Sequence, residues 1–592
     1  MLTYKAPLRD LRFAYFELFD AAELTRLPGY EEATPDLVMD IAEEMGRFAS
    51  EVLQPLNAVG DREGLRFENG EVKMPPGFVD AYRTYREGGW TALMAKPEFG
   101  GQGLPYYVGD MLTEILCAAN LSFSMMTALT QGAYAAFLHH ATDELKARFL
   151  PRLVDGTWSG TMCLTEPQAG TDLGLVRMKA IPQADGSYRL TGSKIFISAG
   201  EHDLTENIVH LVLARLPDAP AGIAGISMFV IPKLREEDGK LLPNGVTCSG
   251  IEHKMGIKAS STCALDFDGS TGWLVGLPNK GMKAMFTMMN AARLHVGIQG
   301  LALAEASYQG AVAFARERLQ GRALTGAKHP ELEADPILVH PDVRRMLLTM
   351  RAFTEGARAL TAWASLEIDH AESDPDAGRA EIGDDMASLL TPIVKAFQTD
   401  LGFEMTNLGV QVLGGYGYCT EYGMEQLVRD CRITPIYEGT NGIQALDLVG
   451  RKMPAHMGRY LRRFFHPVQE FLEAEAENAE LAEFVQPAAK AFERLQRATA
   501  WLAQEAMKNP DQAGAAATDY LHLFGYVALG YLWARMAKLA LAKRGGDDAA
   551  FYQAKLATAR FYMARLLPRH SAHFAHVMAG SAPIMEFPEA AF

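Results

Sequence analysis

Residue spacing in this chain changes character twice, and that change restricts its folding more than any other feature. From Leu37 the apolar residues Leu37, Ile41, Met45, Phe48 and Val52 recur three and four apart, as on one face of a helix, and Pro55 is expected to end the run. Helices are predicted onward to about residue 157, among them one near Tyr107–Ala119, a small-residue stretch near Ala128–Ala136, and a turn-rich interruption at 97–103. Near residue 158 this gives way to short apolar segments at 194–198, 207–213 and 226–232, bounded by Gly, Pro, Asp or Asn. Helical spacing returns at Gly281 and continues to about Met578. Long helices are expected from Arg293 through Leu319, at 341–369 and at 384–413, with an acidic solvated linker at 372–376. The reading is an α+β chain: an N-terminal extension (1–36), an N-terminal α-helical domain (37–157), a central antiparallel β domain of barrel or sandwich type (158–277), a C-terminal helix bundle (278–453) and an additional C-terminal helical domain (454–592).

Composition then excludes several functions. A chain of 592 residues is too long for one core, and 48% hydrophobic with 22% charged residues is the balance of a globular protein. A formal charge of −16 without a sustained Lys/Arg run argues against nucleic acid as a partner. The opening MLTYKAPLRDLRFAYFELFD intersperses charges among apolar residues, so it reads as neither signal peptide nor anchor, and no stretch is long and charge-free enough to span a bilayer. Six cysteines, none in a CxxC pair, argue against a zinc ribbon or disulfide scaffold and fit a cytoplasmic location. His139-His140 falls where a helix is expected to end, and a helix terminus explains it better than a metal site. No metal is expected.

The stretch 433–442, ITPIYEGTNG, concentrates the chemistry. It places Glu438 between an aromatic ring and a glycine, just before a helical pattern that Thr440 or Asn441 can cap. A carboxylate with apolar neighbours has a raised pKa and can act as a general base near neutral pH. The competing reading is a negative charge opening a helix, favoured there by the dipole. Four further stretches accompany it. CLTEPQAGTD (163–172) forms a tight loop offering amides and the hydroxyls of Thr165 and Thr171 to a ligand, or is an ordinary turn. KIFISAG (194–200) is a strand whose aromatic could lie against a flat ring, although strand aromatics are more often core. RERLQGR (316–322) offers guanidinium forks suited to a pyrophosphate, or complements a helix C-terminus. QVLGGYGY (411–418) lets backbone approach a ligand, or ends a helix. It is not GxGxxG after a strand, so a Rossmann site is not expected.

Together, in this order across an α-β-α succession, TEPQAGTD, KIFISAG, QVLGGYGY and IYEGTNG resemble the acyl-CoA dehydrogenase family of flavoproteins over about residues 37–453. The extension and helical tail look like the larger bacterial branch that includes the 3-methylthiopropionyl-CoA dehydrogenases. The resemblance implies an acyl-CoA dehydrogenase-like fold, an FAD cofactor bound in a cleft without a Rossmann fold, a homodimer or homotetramer, and electron-transferring flavoprotein as acceptor. By motif match, Leu164 and Thr165 would contact the flavin ring, and Phe196 and Ser198 would flank it. Thr171 would lie near the CoA pyrophosphate as well as the cofactor, and Arg318 would meet the cofactor's pyrophosphate. Gln411, Gly414 and Gly415 would hold the adenine half, that of the neighbouring subunit's FAD, and Thr440 would touch the cofactor. Arg293, taken as the start of its long helix, would lie near the CoA adenine, with Tyr437 and Gly439 contacting substrate beside the base.

Glu438 matches the family's base. In some branches the base precedes the counterpart of Arg293, but here that residue is Ala292. The sequence departs from the family pattern at Phe196, where many members have tryptophan, and at Gly321, where many have an aromatic. The implied reaction is FAD-dependent α,β-dehydrogenation of an acyl-CoA to a trans-2-enoyl-CoA, as in fatty-acid β-oxidation, on a short or medium chain such as 3-methylthiopropionyl-CoA. Two rival readings are a flavin-containing, nucleic-acid-associated relative and an acyl-CoA oxidase.

Overall fold

The computed structural model describes residues 3–592, apart from the side chains of Ala21 and Ala22; Met1 and Leu2, which open the expected N-terminal extension, lie outside it. In chain order the principal elements begin with helices α1 (Pro35–Phe48), α2 (Tyr106–Ala119) and α3 (Leu121–His140). Seven strands follow: β1 (Trp158–Cys163), β2 (Lys179–Pro182), β3 (Tyr188–Ser198), β4 (Asn207–Arg215), β5 (Ile226–Pro232), β6 (Val246–Ile251) and β7 (Thr262–Val275). The remainder is helical: α4 (Gly281–Glu317), α5 (Pro341–Ser373), α6 (Ala377–Leu413), α7 (Asn441–Asp447), α8 (Arg459–Ala474), α9 (Ala482–Lys508), α10 (Pro510–Lys543), α11 (Ala549–Phe561) and α12 (His570–Ala579). Among the described residues, no helix is long and apolar enough to cross a membrane.

Helix α1 departs from its expected stripe and its expected end. Met45 and Phe48 of that stripe are buried, with Val38, Ala42, Ala49 and Leu53 beside them, whereas Leu37 is 41% exposed. Nor does Pro55 stop the chain turning: a π turn at Ala49–Leu53 leads into a further helix at Gln54–Glu63, with the proline in its first turn. A proline is tolerated there because the first amides of a helix have no intrahelical acceptor to lose.

Two compact units make up the chain. One comprises Arg47–Leu104 and Ala119–His295. Its seven-stranded sheet runs β6-β7-β3-β2-β4-β1, with β5 pairing both β7 and β4, so the ladder curls back on itself. Most ladders are antiparallel, as expected, but β1 and β4 are parallel from Trp158↔Asn207 to Cys163↔Val212, and so is the Lys179↔Arg215 pair of β2 and β4. The amendment is a mixed sheet. It follows from connectivity: parallel neighbours need a long crossover, and β2 and β3 lie between β1 and β4 in sequence. Strand β5 is buried throughout and β4 at every position but its last, so both faces are covered. Val209, Leu211, Leu213, Met228 and Val230 share a core with Ala133, Ala136 and Phe137 of α3, while Val212, Ala214, Phe229 and Ile231 face a second core with Leu265 and Phe267.

The other unit takes in the chain up to Gly46, Pro105–Ala118 and Val296–Phe592. Here α4 crosses α6 so closely that a Cβ on Gly300 would lie 2.6 Å from the Gln398 carbonyl oxygen. The long helices α5 and α6 turn back on each other through Asp374–Asp376 alone. The acidic stretch is thus mostly helix terminus: Asp376 accepts from the Gly378 amide at 2.8 Å and Asp374 from His370 Nδ1 at 2.8 Å. Helix α10 packs on this pair, with the Trp533 indole donating to the Ala352 carbonyl at 3.1 Å. A buried ionic cluster ties the unit's parts together. Arg358 binds Asp10, Glu114 and Glu305, and Lys555 binds Asp10 and Glu355.

Candidate active site

In the helical unit, the 433–440 loop is closed by hydrogen bonds on every side of Glu438. The Ile436 amide donates to the Ile433 carbonyl at 2.8 Å, and the Asn441 amide to that of Pro435 at 3.0 Å. Thr440 caps α7, its hydroxyl accepting from the Ile443 amide at 3.3 Å. The fully buried Gln444 side chain donates to the carbonyls of Glu438 at 3.3 Å and Gly439 at 3.2 Å. Tyr437 donates its hydroxyl to Gln299 Oε1 on α4. Burial pushes that hydroxyl well above the ordinary tyrosine pKa and the Glu438 charge adds to the effect, so Tyr437 remains a donor. Glu438 itself is half-buried, with φ of 58°, followed by Gly439 at 84°. A glutamate in the left-handed region is costly, and such outliers concentrate at functional sites.

Beneath this loop lies a polar anchor. The Lys395 ammonium donates to Asn441 Oδ1 at 2.7 Å, and Asn441 Nδ2 donates to Asp400 Oδ1 at 2.7 Å. Neither α6 residue, nor Gln299 and Gln444, stands out in the sequence, because a polar residue inside a long helix gives no sign of facing a loop.

A groove of about 450 Å³ in the same unit brings together Arg318, Gly414 and Gly415. Phe314, Ile337, Tyr416 and Cys419 also line it, none of them anticipated. A Cβ on Gly414 or Gly415 would meet nothing within 4 Å, and the Arg318 guanidinium lies 5.3 Å from the Tyr416 ring centre without an ion-pair partner among the described residues. Gln411 sits apart from the lining, exposed on the last turn of α6. Arg322 is spent locally: it donates to the carbonyls of His329 and Glu333 and pairs with Asp335.

In the β unit, the loop carrying Leu164 and Thr165 is hydrogen-bonded to β3, the strand that carries Phe196 and Ser198. The Ile195 amide donates to the Thr165 carbonyl at 2.9 Å. Lys194 Nζ reaches the Leu164 carbonyl at 3.0 Å and Glu166 Oε1 at 2.9 Å. Burial alone would raise the Glu166 carboxyl, but Lys194 and the amides of Arg177 and Met178 hold it below the usual range. Burial also keeps the Lys194 ammonium below the usual amine value. This pair clamps the TEP loop onto β3; a charge in each of two apolar motifs was its only sequence signal. Phe196 is not core. Its φ is 58° and it is 59% exposed, because β3 carries an extra residue between Ile197, opposite Cys263, and Lys194, opposite Leu265. Such a bulge turns a side chain out of the pleat. Thr171 is exposed farther along the loop. Arg293 is buried beside the Phe286 ring, and it lies about three turns inside α4 rather than at its start.

His139 and His140 form the last turn of α3, where His140 Nε2 bonds the Thr287 hydroxyl at 2.7 Å and burial lowers both imidazole pKa values. Metal-type ligands do converge at Asp519, His573 and His576, within 4.8 Å of one another, where both imidazoles are hydrogen-bonded to the carboxylate. For a flat, phosphate-bearing cofactor such as FAD the residues fit. An exposed aromatic stands beside loop hydroxyls in one unit, and a guanidinium faces two bare glycines in the other.

Family models match successive parts of the chain. The N-terminal, middle and C-terminal domains of acyl-CoA dehydrogenase match residues 38–157, 161–270 and 279–453, and an acetyl-CoA dehydrogenase C-terminal-like model matches 464–588. The chain belongs to the acyl-CoA dehydrogenase family, oxidoreductases that use FAD. It is 45% identical to 3-methylmercaptopropionyl-CoA dehydrogenase of Ruegeria pomeroyi, with 97% of this chain and 98% of that protein covered. A butyryl-CoA dehydrogenase of Syntrophomonas wolfei is 35% identical, covering 100% of this chain and 99% of that one. Among solved structures, Caenorhabditis elegans ACDH-11 in complex with C11-CoA superposes with a TM-score of 0.78 at 21% identity, covering 95% of this chain and 91% of that one, which is a likeness of fold.

Proposed function

We propose that this chain catalyses FAD-dependent α,β-dehydrogenation of an acyl-CoA thioester to the trans-2-enoyl-CoA, with Glu438 removing the α proton. The observation that carries the reading is the Glu438 loop, where a half-buried carboxylate is kept in a strained backbone conformation by Gln444, Asn441 and Tyr437. A thioester α proton is hard to remove unless charge developing on the carbonyl oxygen is stabilised, and the Glu438 main-chain amide is the proposed donor. FAD, when bound, supplies the hydride acceptor that no side chain can provide.

The chain's own residues bind, orient and exclude water. Leu164, Thr165, Phe196 and Ser198 would hold the flavin ring. Thr171, Arg318, Gln411, Gly414, Gly415 and Thr440 would hold the rest of the cofactor. Arg293, with Thr171, would serve the CoA moiety, and Tyr437 and Gly439 would border the acyl group. The proposed substrate is 3-methylthiopropionyl-CoA, supported by near full-length similarity to the Ruegeria pomeroyi enzyme of that name. Electron-transferring flavoprotein as acceptor, a homodimeric or homotetrameric state and a cytoplasmic location belong to the same proposal.

Anaerobic titration of the yellow protein with acyl-CoAs of graded length, 3-methylthiopropionyl-CoA included, tests the substrate by flavin bleaching. Preference for a straight chain such as butyryl-CoA would reject the thioether assignment. Glu438→Gln should retain flavin and lose bleaching by the best acyl-CoA; undiminished bleaching would reject Glu438 as base.

A further inference from the structure

We infer that His522, in the additional C-terminal helical domain, is a positioning residue that acts through Asp400 and Asn441 to hold the loop presenting Glu438. The inference rests on the reading of Glu438 as base, and it assigns the tail a part in the reaction.

The connection is continuous. His522, on α10, donates from Nε2 to Asp400 Oδ2 at 3.0 Å. The other oxygen of that carboxylate accepts from Asn441 Nδ2 at 2.7 Å, and the Asn441 main-chain amide donates to the Pro435 carbonyl at 3.0 Å, closing the turn around Glu438. Chemistry fixes which way each group faces. An ammonium only donates and a carboxylate only accepts, so Lys395 takes the Asn441 oxygen and Asp400 takes its nitrogen, which also donates to the Thr399 hydroxyl at 2.9 Å and the Ala396 carbonyl at 3.2 Å. The amide cannot flip without breaking the bonds to Lys395 and Asp400. Asp400, with 32% of its side chain exposed, could turn toward water, and His522 is the donor that holds its outer oxygen.

The His522 ring is itself held by the tail and by α6. It stacks on His573 with ring centres 5.1 Å apart and planes 17° apart, and meets the Phe397 ring edge-on at 5.7 Å. His573 is in turn tied to Asp519 at 2.8 Å. Helices α10 and α12 therefore set the imidazole orientation before any substrate arrives.

The test measures the rate of flavin bleaching by acyl-CoA, kcat, KM and flavin content in His522→Phe, His522→Gln, His522→Asn, Asp400→Asn and the His522→Phe/Asp400→Asn pair. A loop displaced by a fraction of an ångström should slow bleaching and kcat about tenfold, with KM and flavin content unchanged. Glutamine places an N–H where the imidazole Nε2 was and should restore most of the rate; asparagine, shorter, should not. The paired variant should be no slower than the slower single one, because both interrupt one connection. Full rate in His522→Phe, equal rates for the glutamine and asparagine variants, or additive losses would overturn the inference. Should His522→Phe not fold, the glutamine–asparagine comparison decides it. If Glu438→Gln is itself fully active, the base assignment fails; if Glu438→Gln is inactive while His522→Phe is unimpaired, only the positioning role fails.

Discussion

Lys194 and Glu166 show at the scale of single residues how a charge pair can shape a loop. With relative exposures of 0% and 5%, neither can be left alone in the interior. Lys194→Met should therefore cost about 3–5 kcal/mol, the usual penalty for stranding one partner of a buried pair, measurable by urea denaturation. The pH dependence has a definite sign. Glu166 is held below its ordinary value, so its contribution is complete above a normal glutamate pKa of about 4.3 and is lost as pH falls through the depressed one. In Lys194→Met the stranded carboxyl takes up a proton more readily, so the deficit should be largest at neutral pH and narrow in acid. A deficit constant from pH 7 to 4 would contradict the clamp. Residue type announced Glu438 as a candidate base, because a lone carboxylate between an aromatic and a glycine is unusual. It could not announce that Phe196 faces outward, since an aromatic in a strand is core unless a bulge re-aims it, and a bulge is a property of two strands.

Among the elements, α4 and α6 owe their close approach to glycines. A Cβ on Gly300 would sit 2.6 Å from the Gln398 carbonyl, and one on Gly402 would collide with the Gly300 carbonyl. Backbone cannot yield as a side-chain tip can, so Gly402→Ala should destabilise by about 1–3 kcal/mol in denaturant. It should also shift Gln299, and with it Tyr437, and so slow bleaching; unchanged stability and rate would show that the helices can separate freely. The change of spacing near 158 and back at 281 was legible because strand and helix periods differ within a few residues. The parallel pairing of β1 with β4 was not, because spacing along one strand says nothing of its neighbour's direction. Pro55 misled in the same way: a proline forbids one hydrogen bond, and whether a helix restarts around it depends on packing.

Across the whole molecule, the Arg358 cluster joins segments remote in sequence. Asp10 comes from the N-terminal segment, Glu114 from α2, Glu305 from α4, Glu355 from α5 beside Arg358, and Lys555 from α11. Arg358→Leu would strand several buried carboxylates at once and should lower unfolding free energy by at least about 3–5 kcal/mol, read by denaturation of the flavin-loaded protein. A loss under about 1 kcal/mol would mean that water reaches the cluster. Short-range information in the chain was sufficient for the succession of helices and strands, for the membership carried by four motifs and for singling out Glu438 as the proposed base, since each is written within about ten neighbouring residues. Contacts such as Lys555 with Asp10, 545 residues apart, and His522 with Asp400, 122 apart, follow no local pattern. They form only when packed helices bring distant side chains within about 3 Å, and so the polar anchors behind the loop, the outward turn of Phe196 and the burial of α10 became evident only from the folded chain.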